Sequence, residues 1–244
     1  MDEQLPNLRH LRALREVALQ RSISRAAQRV FLSQPAIPQA IAKLERLLAC
    51  RLFERHSDGM RPTPAGLLFT ERVERALNLI RGGVQDALRA AAERGSRRPV
   101  GPDQLLTMTQ LRALVAVASA RNFSLAARAV GTSQSALYRA ARELEALMEV
   151  SLFERSSHGI DLTRPGQLFA QQIKLAFAEL SQGFVEVNSL RGADTGRIVV
   201  GGMPLSRHFI LPAAITALAH RHPGVTVRVI EGPYAELLHG LRHG

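Results

Sequence analysis

Ser33-Gln34-Pro35-Ala36-Ile37-Pro38-Gln39-Ala40-Ile41-Ala42-Lys43-Leu44-Glu45 is the stretch on which the reading of this chain turns. Ile37, Ile41, Leu44 and Leu48 recur at helical spacing and form one apolar stripe. Ser33 stands where an N-cap belongs. The opposite face is then exposed and carries Gln34, Pro35, Pro38, Gln39 and Lys43. One hundred residues later the pattern returns as Ser133-Gln134-Ser135-Ala136-Leu137, with Tyr138, Arg139 and Arg142 on the exposed face. Laid over each other without a gap, 8–69 and 108–169 agree at about 28 of 62 positions. A self-match of this length marks a duplicated domain.

Working outward, Leu11, Leu14 and Val17 give an amphipathic helix over about 8–20. A short second helix follows, with Ser24 at its expected N-cap and with Ala26 and Ala27 small enough to let another helix cross closely. A tight turn at Phe31-Leu32 leads into the third helix, which completes a helix-turn-helix. Downstream, Leu52-Phe53 and the turn around Gly59, ending at Thr63, read as two short strands with a hairpin wing; Gly159 and Thr163 repeat them. The turn before the third helix favours a left-handed residue. Gly131 suits it, whereas Phe31 costs roughly 1–2 kcal/mol there. Pro38 is expected to kink the first recognition helix, and Asp161 to weaken phosphate contact at the second wing.

The chain has 244 residues, a formal net charge of +11 and a pI near 11.3. That balance points to a polyanionic partner, nucleic acid before a membrane surface. No run approaches the roughly 20 apolar residues of a spanning helix, and the start lacks signal-peptide order, so a soluble, cytoplasmic chain with no membrane partner is expected. Residues 1–100 hold 18 basic and 10 acidic side chains, 101–192 hold 9 and 8, and 193–244 hold 5 and 3. The first copy therefore carries most of the field. With no Trp and about 5% aromatics, stacking platforms for single strands are scarce, which favours double-stranded DNA.

The side chains of the exposed faces suit a major groove. Gln bonds an adenine edge, Arg a guanine edge, and Lys serves mainly phosphate. Gln34, Gln39, Gln134, Tyr138, Arg139 and Arg142 are the base-edge candidates, Lys43 and Arg61 the phosphate candidates; Ser33, Pro35, Pro38, Ser133 and Ser135 complete the surface. The same helix arrangement also occurs as a plain packing unit. Two other readings stay open: an interaction protein that pairs with a full-length relative, and an architectural DNA binder without sequence preference.

These residues resemble the LysR-type transcriptional regulators. The resemblance rests on Ser24-x-Ala26-Ala27, Ser33-Gln34-Pro35-Ala36, Leu44-Glu45, Leu52-Phe53-Glu54-Arg55 and Thr63-Pro64-Ala65-Gly66. Most recur as Ser124-x-Ala126-Ala127, Ser133-Gln134-Ser135-Ala136, Leu144-Glu145, Leu152-Phe153-Glu154-Arg155 and Thr163-x-x-Gly166. The resemblance implies one such module, a linker helix that pairs subunits, and a C-terminal effector domain similar to periplasmic binding proteins. The duplication departs from that plan.

After Thr63-Pro64, residues Phe69, Val73, Ala76, Ile80, Val84, Ala87 and Ala91 step by fours and threes, a coiled-coil seam; Phe169, Ile173, Ala176, Leu180, Phe184 and Val187 repeat it. Gly82-Gly83 weakens the first of these helices. The seams call for an intramolecular pseudo-dimer or a homo-oligomer. Arg197 to Gly201 and Val225 to Val229 read as strands on either side of a helix from Leu211 to Arg221.

The expected fold is mainly α: two winged helix-turn-helix domains with long linker helices, followed by a βαβ fragment of a periplasmic-binding-protein-like α/β domain. Its parts are 7–64, a linker helix 65–94, a flexible linker 95–106, 107–164, a linker helix 165–192, and a partial effector domain 193–244. Where the resemblance puts effector contacts, the chain offers Ser206, Gly232, Pro233 and Tyr234, with a small-molecule effector expected only from a complete domain. Cys50 is read as packing. His220, His222, His239 and His243 lack a completing ligand set, so neither a metal nor a cofactor is expected. No nucleophile elbow, phosphate loop or dinucleotide fingerprint is present, and an enzyme is not expected.

Overall fold

A computed structural model describes residues 5–57, 59–92, 102–157, 159–192, 196–204 and 208–243. The described chain is mainly helical, and its elements run twice through one order. The first unit holds α1 (Leu8–Gln20), α2 (Ile23–Val30), α3 (Ala36–Leu48), β1 (Phe53–His56) and β2 (Gly59–Pro62), then the long α4 (Pro64–Ala92). The second holds α5 (Met108–Ala120), α6 (Phe123–Ala129), α7 (Gln134–Met148), β3 (Phe153–Ser156), β4 (Gly159–Leu162) and the long α8 (Arg164–Leu190). Each strand pair is an antiparallel hairpin, with Phe53 opposite Pro62 and Phe153 opposite Leu162.

Each unit closes around its own apolar stripe. Leu11, Leu14 and Val17 of α1 meet Ile37, Leu44 and Leu48 of α3, all nearly inaccessible, and Ala26 and Ala27 let α2 lie close against them. The Leu-Glu motif has a structural reason. Glu45 Oε1 accepts from the Leu52 and Phe53 N–H groups at 2.8 and 3.4 Å, and Glu145 Oε1 does the same for Leu152 and Phe153 at 2.7 and 3.1 Å. The carboxylate thus ties the end of the third helix to the first strand of the wing. The motif threonines close the other side: Thr63 and Thr163 donate to the Arg51 and Ser151 carbonyls and accept from Gly66 and Gly166 N–H.

Several local expectations are corrected. The N-cap of α2 is Ser22, whose Oγ accepts from Arg25 N–H, with Asn122 in the second copy, so Ser24 lies inside the helix. Ser33 does not cap α3 through its side chain, because the helix opens at Pro35 and Ala36. Ser133 does cap α7. Pro38 falls in the first turn of α3, where its missing N–H has no helical partner to lose, so no kink is imposed. Phe31 does adopt the left-handed backbone, with φ 54°, at the place where Gly131 has φ 67°.

α4 and α8 pack side by side and antiparallel. Every seam position of α4 from Phe69 to Ala91 is buried, as are Phe169, Ile173, Ala176, Leu180 and Val187 of α8. Gly83 is not simply a weak point. A Cβ there would come within 2.9 Å of Phe169 and 2.8 Å of the Gln172 Cβ, and one on Gly183 within 3.0 Å of Phe69. The glycines let each helix approach the other's phenylalanine, in a relation that repeats at the 100-residue offset. Arg72 adds a one-sided clamp, bonding Glu179 at 2.9 Å and Glu186 through two guanidinium nitrogens. Glu186 is held below the ordinary carboxylate pKa by Arg72, against the opposing effect of burial.

Of the expected flexible linker 95–106, residues 95–101 lie outside the described residues, as do 93–94 at the end of the expected first linker helix. Pro102–Gln104 form a single 3-10 turn that rests on the first unit: Arg12 donates to the Gln104 carbonyl at 2.8 Å and to the Asp103 carbonyl, and Leu106 is buried. At the C-terminal end, β5 (Arg197–Gly202) and β6 (Thr226–Glu231) pair in parallel, connected through α9 (Ile210–Arg221), and α10 (Tyr234–His243) follows. The sequence expectation does not include α10. Among the residues of 196–243 whose burial is described, only Gly202 is buried.

Candidate nucleic-acid interface

The buried stripe of α3 turns the remaining face outward. Ser33, Gln34, Pro35, Pro38, Gln39 and Lys43 are all exposed, and Arg61 is exposed on the wing. In α7 the same holds for Ser133, Gln134, Ser135, Tyr138, Arg139 and Arg142. Each wing is pinned beside this face: Met60 N–H donates to the Arg21 carbonyl at 3.0 Å and Ile160 N–H to the Arg121 carbonyl at 2.9 Å.

The two faces differ in how free their side chains are. Gln34, Gln39, Lys43, Gln134 and Arg139 have no side-chain partner among the described residues. Arg142 is already engaged, since its guanidinium bonds Glu145 and lies 5.0 Å from the centre of the Tyr138 ring. Hydrogen bonding to Tyr138, and then to Glu145, raises its pKa against the effect of burial. Tyr138 packs edge-on against Phe123, with ring centroids 5.2 Å apart. Ser133 and Ser135 hydroxyls lie 3.2 Å apart. Gln134 and Arg139 are therefore the freest polar side chains of the α7 face, with Tyr138 and Arg142 stacked beside them.

Asp161 does not act as a bare acid in the wing, because it pairs with Arg121. Sequence reasoning misses Arg55 and Arg155, which are exposed and without a partner among the described residues. Arg155 lines a recess of about 390 Å³ together with Gln134, Phe123 and Gly159, so it joins helix and wing on one surface. Their signal is present in the sequence: both close the Leu-Phe-Glu-Arg motif in each copy.

Ser206 lies outside the described residues. Gly232 and Pro233 lead into α10, where the Pro233 carbonyl accepts from Glu236 and Leu237 N–H, and Tyr234 is exposed beside an apolar groove with Met203, Leu237 and Leu241. Among the described residues no group of His, Cys, Asp or Glu is placed to hold a metal ion. No helix of the described residues is long and apolar enough to cross a membrane.

The model of the bacterial regulatory helix-turn-helix protein, lysR family, matches residues 8–67 and again 108–167. The HTH-type transcriptional regulator GalR of Pseudomonas putida is 34% identical over 244 residues, all of this chain and 59% of the relative. A probable hydrogen peroxide-inducible genes activator of Mycobacterium xenopi is 32% identical over 138 residues, 57% of this chain and 73% of that protein. The chain belongs to the LysR family. It spans 59% of the GalR regulator's length. Among solved structures, a full-length OxyR variant from Pseudomonas aeruginosa overlays with a TM-score of 0.47 at 24% identity, over 57% of this chain and 46% of that one. Full-length CbnR complexed with its target DNA overlays with a TM-score of 0.28 at 30% identity, over 55% and 47%.

Proposed function

We propose that this chain regulates transcription by binding duplex DNA sequence-specifically through two tandem winged helix-turn-helix modules, 7–64 and 107–164. The observation that carries the reading is the exposed face of the third helix in each copy, beside a wing and repeated at a 100-residue offset, on which Gln34, Gln39, Lys43, Gln134 and Arg139 have no side-chain partner among the described residues. Gln34, Gln39, Gln134 and Arg139 read base edges, Lys43, Arg55, Arg61 and Arg155 hold phosphates, and Tyr138 with Arg142 adds a stacked contact.

The linker helices 65–94 and 165–192 make the pseudo-dimer within one chain. Antiparallel pairing puts the two modules at opposite ends of the α4 and α8 pair. The two glycine-phenylalanine crossings are fourteen residues apart along α4, about 21 Å of helix axis. Residues 193–244 form part of an effector domain, and neither a cofactor nor catalysis enters the mechanism.

Mobility shift of the purified chain on duplexes selected from a random pool tests this. Tight binding to selected duplexes and much weaker binding to scrambled ones is the expected result. Equal binding to both makes the chain an architectural binder, and no binding leaves it an interaction protein.

A further inference from the structure

The strongest concentration of charge away from the recognition face lies where the segment before α5 rests on the first unit. Arg9, Arg12, Arg15, Arg29 and Arg81 line one recess of about 260 Å³, walled on its apolar sides by Leu77 and Ile80. Asp103 is the one acid among the described residues of the lining, 3.8 Å from Arg81, and Arg15 is taken up by Glu16 at 2.8 Å. Five guanidinium groups against those two carboxylates leave three positive charges uncompensated. Arg9 and Arg29 have no side-chain partner among the described residues. Burial lowers the Arg12 pKa, Asp103 raises it, and Arg15 and Arg9 lower it further, as a locally positive field requires.

The fold does not ask for these arginines. The second unit has its own recess at the corresponding place, lined by Thr109, Arg112, Val130 and Gly131. At the 100-residue offset Arg9, Arg15, Arg29 and Arg81 become Thr109, Val115, Ala129 and Ser181, and only Arg12 keeps its charge as Arg112. The first unit alone has gathered cations that its equally well packed copy does without. The recess is also lined by Gln104 and Leu105 and backed by α4.

We propose that this recess binds a compact oxyanion carrying two or more negative charges, of phosphate-ester or polycarboxylate chemistry, with Arg9 and Arg29 as its principal ligands and Arg12 and Arg81 at its floor. The size fits: the volume lies just below the range of drug-sized sites. Guanidinium forks bond such oxygens in pairs. The occupant touches Leu105 of the inter-unit segment and Phe31-Leu32, the turn leading into α3, so it ties the junction of the two units to the entry of the first recognition helix.

Titration calorimetry of the full chain with pyrophosphate and with citrate, at ionic strength held constant with sodium chloride, tests the site. Saturable 1:1 binding of at least one probe is expected, weakened about tenfold or more by R9Q/R29Q and unchanged by R221Q/R228Q, which removes the same charge elsewhere. Which probe binds assigns phosphate or carboxylate chemistry. Binding of neither, or equal binding by R9Q/R29Q, overturns the proposal. Phenylglyoxal labelling of the unmutated chain gives a second readout that needs no variant. Protection of Arg9 and Arg29 by the anion supports the site, whereas protection by a duplex and not by the anion overturns it and makes them backbone contacts. The anion titration needs no DNA, so its outcome is independent of whether the chain reads a sequence.

Discussion

The Gly83 backbone lies so close to the Phe169 ring that a Cβ on it would stand 2.9 Å from Cδ2, while its neighbour Gly82 has nothing within 4 Å. Two adjacent glycines in one helix therefore answer to different physics. Gly82→Ala is expected to stabilise the chain by roughly 0.5–1 kcal/mol through helix propensity alone. Gly83→Ala is expected to destabilise it by roughly 1–3 kcal/mol, because Phe169 and Gln172 must move. Urea midpoints of the two variants check the pair, and equal effects would refute the close crossing.

Phe31 has φ 54° and is 83% exposed, so strain is not offset by packing. Phe31→Asn, which tolerates left-handed backbone, should raise stability by about 1 kcal/mol. A lower thermal midpoint would mean that the exposed ring stabilises the turn by more than the backbone strain costs.

The Arg72 clamp predicts a pH dependence. The folded pKa of Glu186 lies below its ordinary 4.5, so its contribution is complete above 4.5 and is lost as pH falls through the lower folded value. Arg72→Met should flatten that part of the stability profile and cost about 1 kcal/mol at neutral pH, the pair being a quarter exposed. Chemical denaturation at pH 3 to 7 measures both.

On the recognition face, Gln134→Ala with Arg139→Ala should relax base preference by roughly 1–3 kcal/mol for each base edge no longer read, while sparing nonspecific affinity. Binding of selected and random duplexes in parallel checks it, and equal losses on both would remove these residues from base readout.

Since 1–100 carries a net +8 and 101–192 a net +1, Lys43→Gln with Arg55→Gln should lower the salt slope of DNA affinity by about 0.9 for each phosphate no longer neutralised. Titrations at several salt concentrations read this slope. If Arg139→Gln with Arg155→Gln lowers it further, the charge argument fails.

Much of this fold is legible because the two copies explain each other. The α3 stripe, the wing and both seams follow from apolar spacing, and spacing is local. What escapes depends on neighbours distant in sequence. Gly83 looks like a defect until Phe169 lies against it, and Asp161 looks like a bare acid until Arg121 reaches it. The capping errors at Ser24 and Ser33 have another cause: a serine near a helix start does not say which turn begins the helix. α10 is hidden because Gly232-Pro233 reads as a turn, and Pro is equally at home where a helix opens.

The one-sided Arg72 clamp carries a consequence for how such a protein diverges. In a homodimer every substitution appears twice, at both ends of the dyad, so an acid and a base chosen for one end are imposed on the other. Here the offset positions are Gln172, Leu79 and Asp86, which cannot repeat the pairs that Arg72 makes with Glu179 and Glu186. Fusing the halves into one polypeptide has freed each end to change alone, and α3 and α7 already share few of their exposed side chains. If the two units read DNA as proposed, they impose no symmetry on the target, and a non-palindromic site suits them as well as a palindrome.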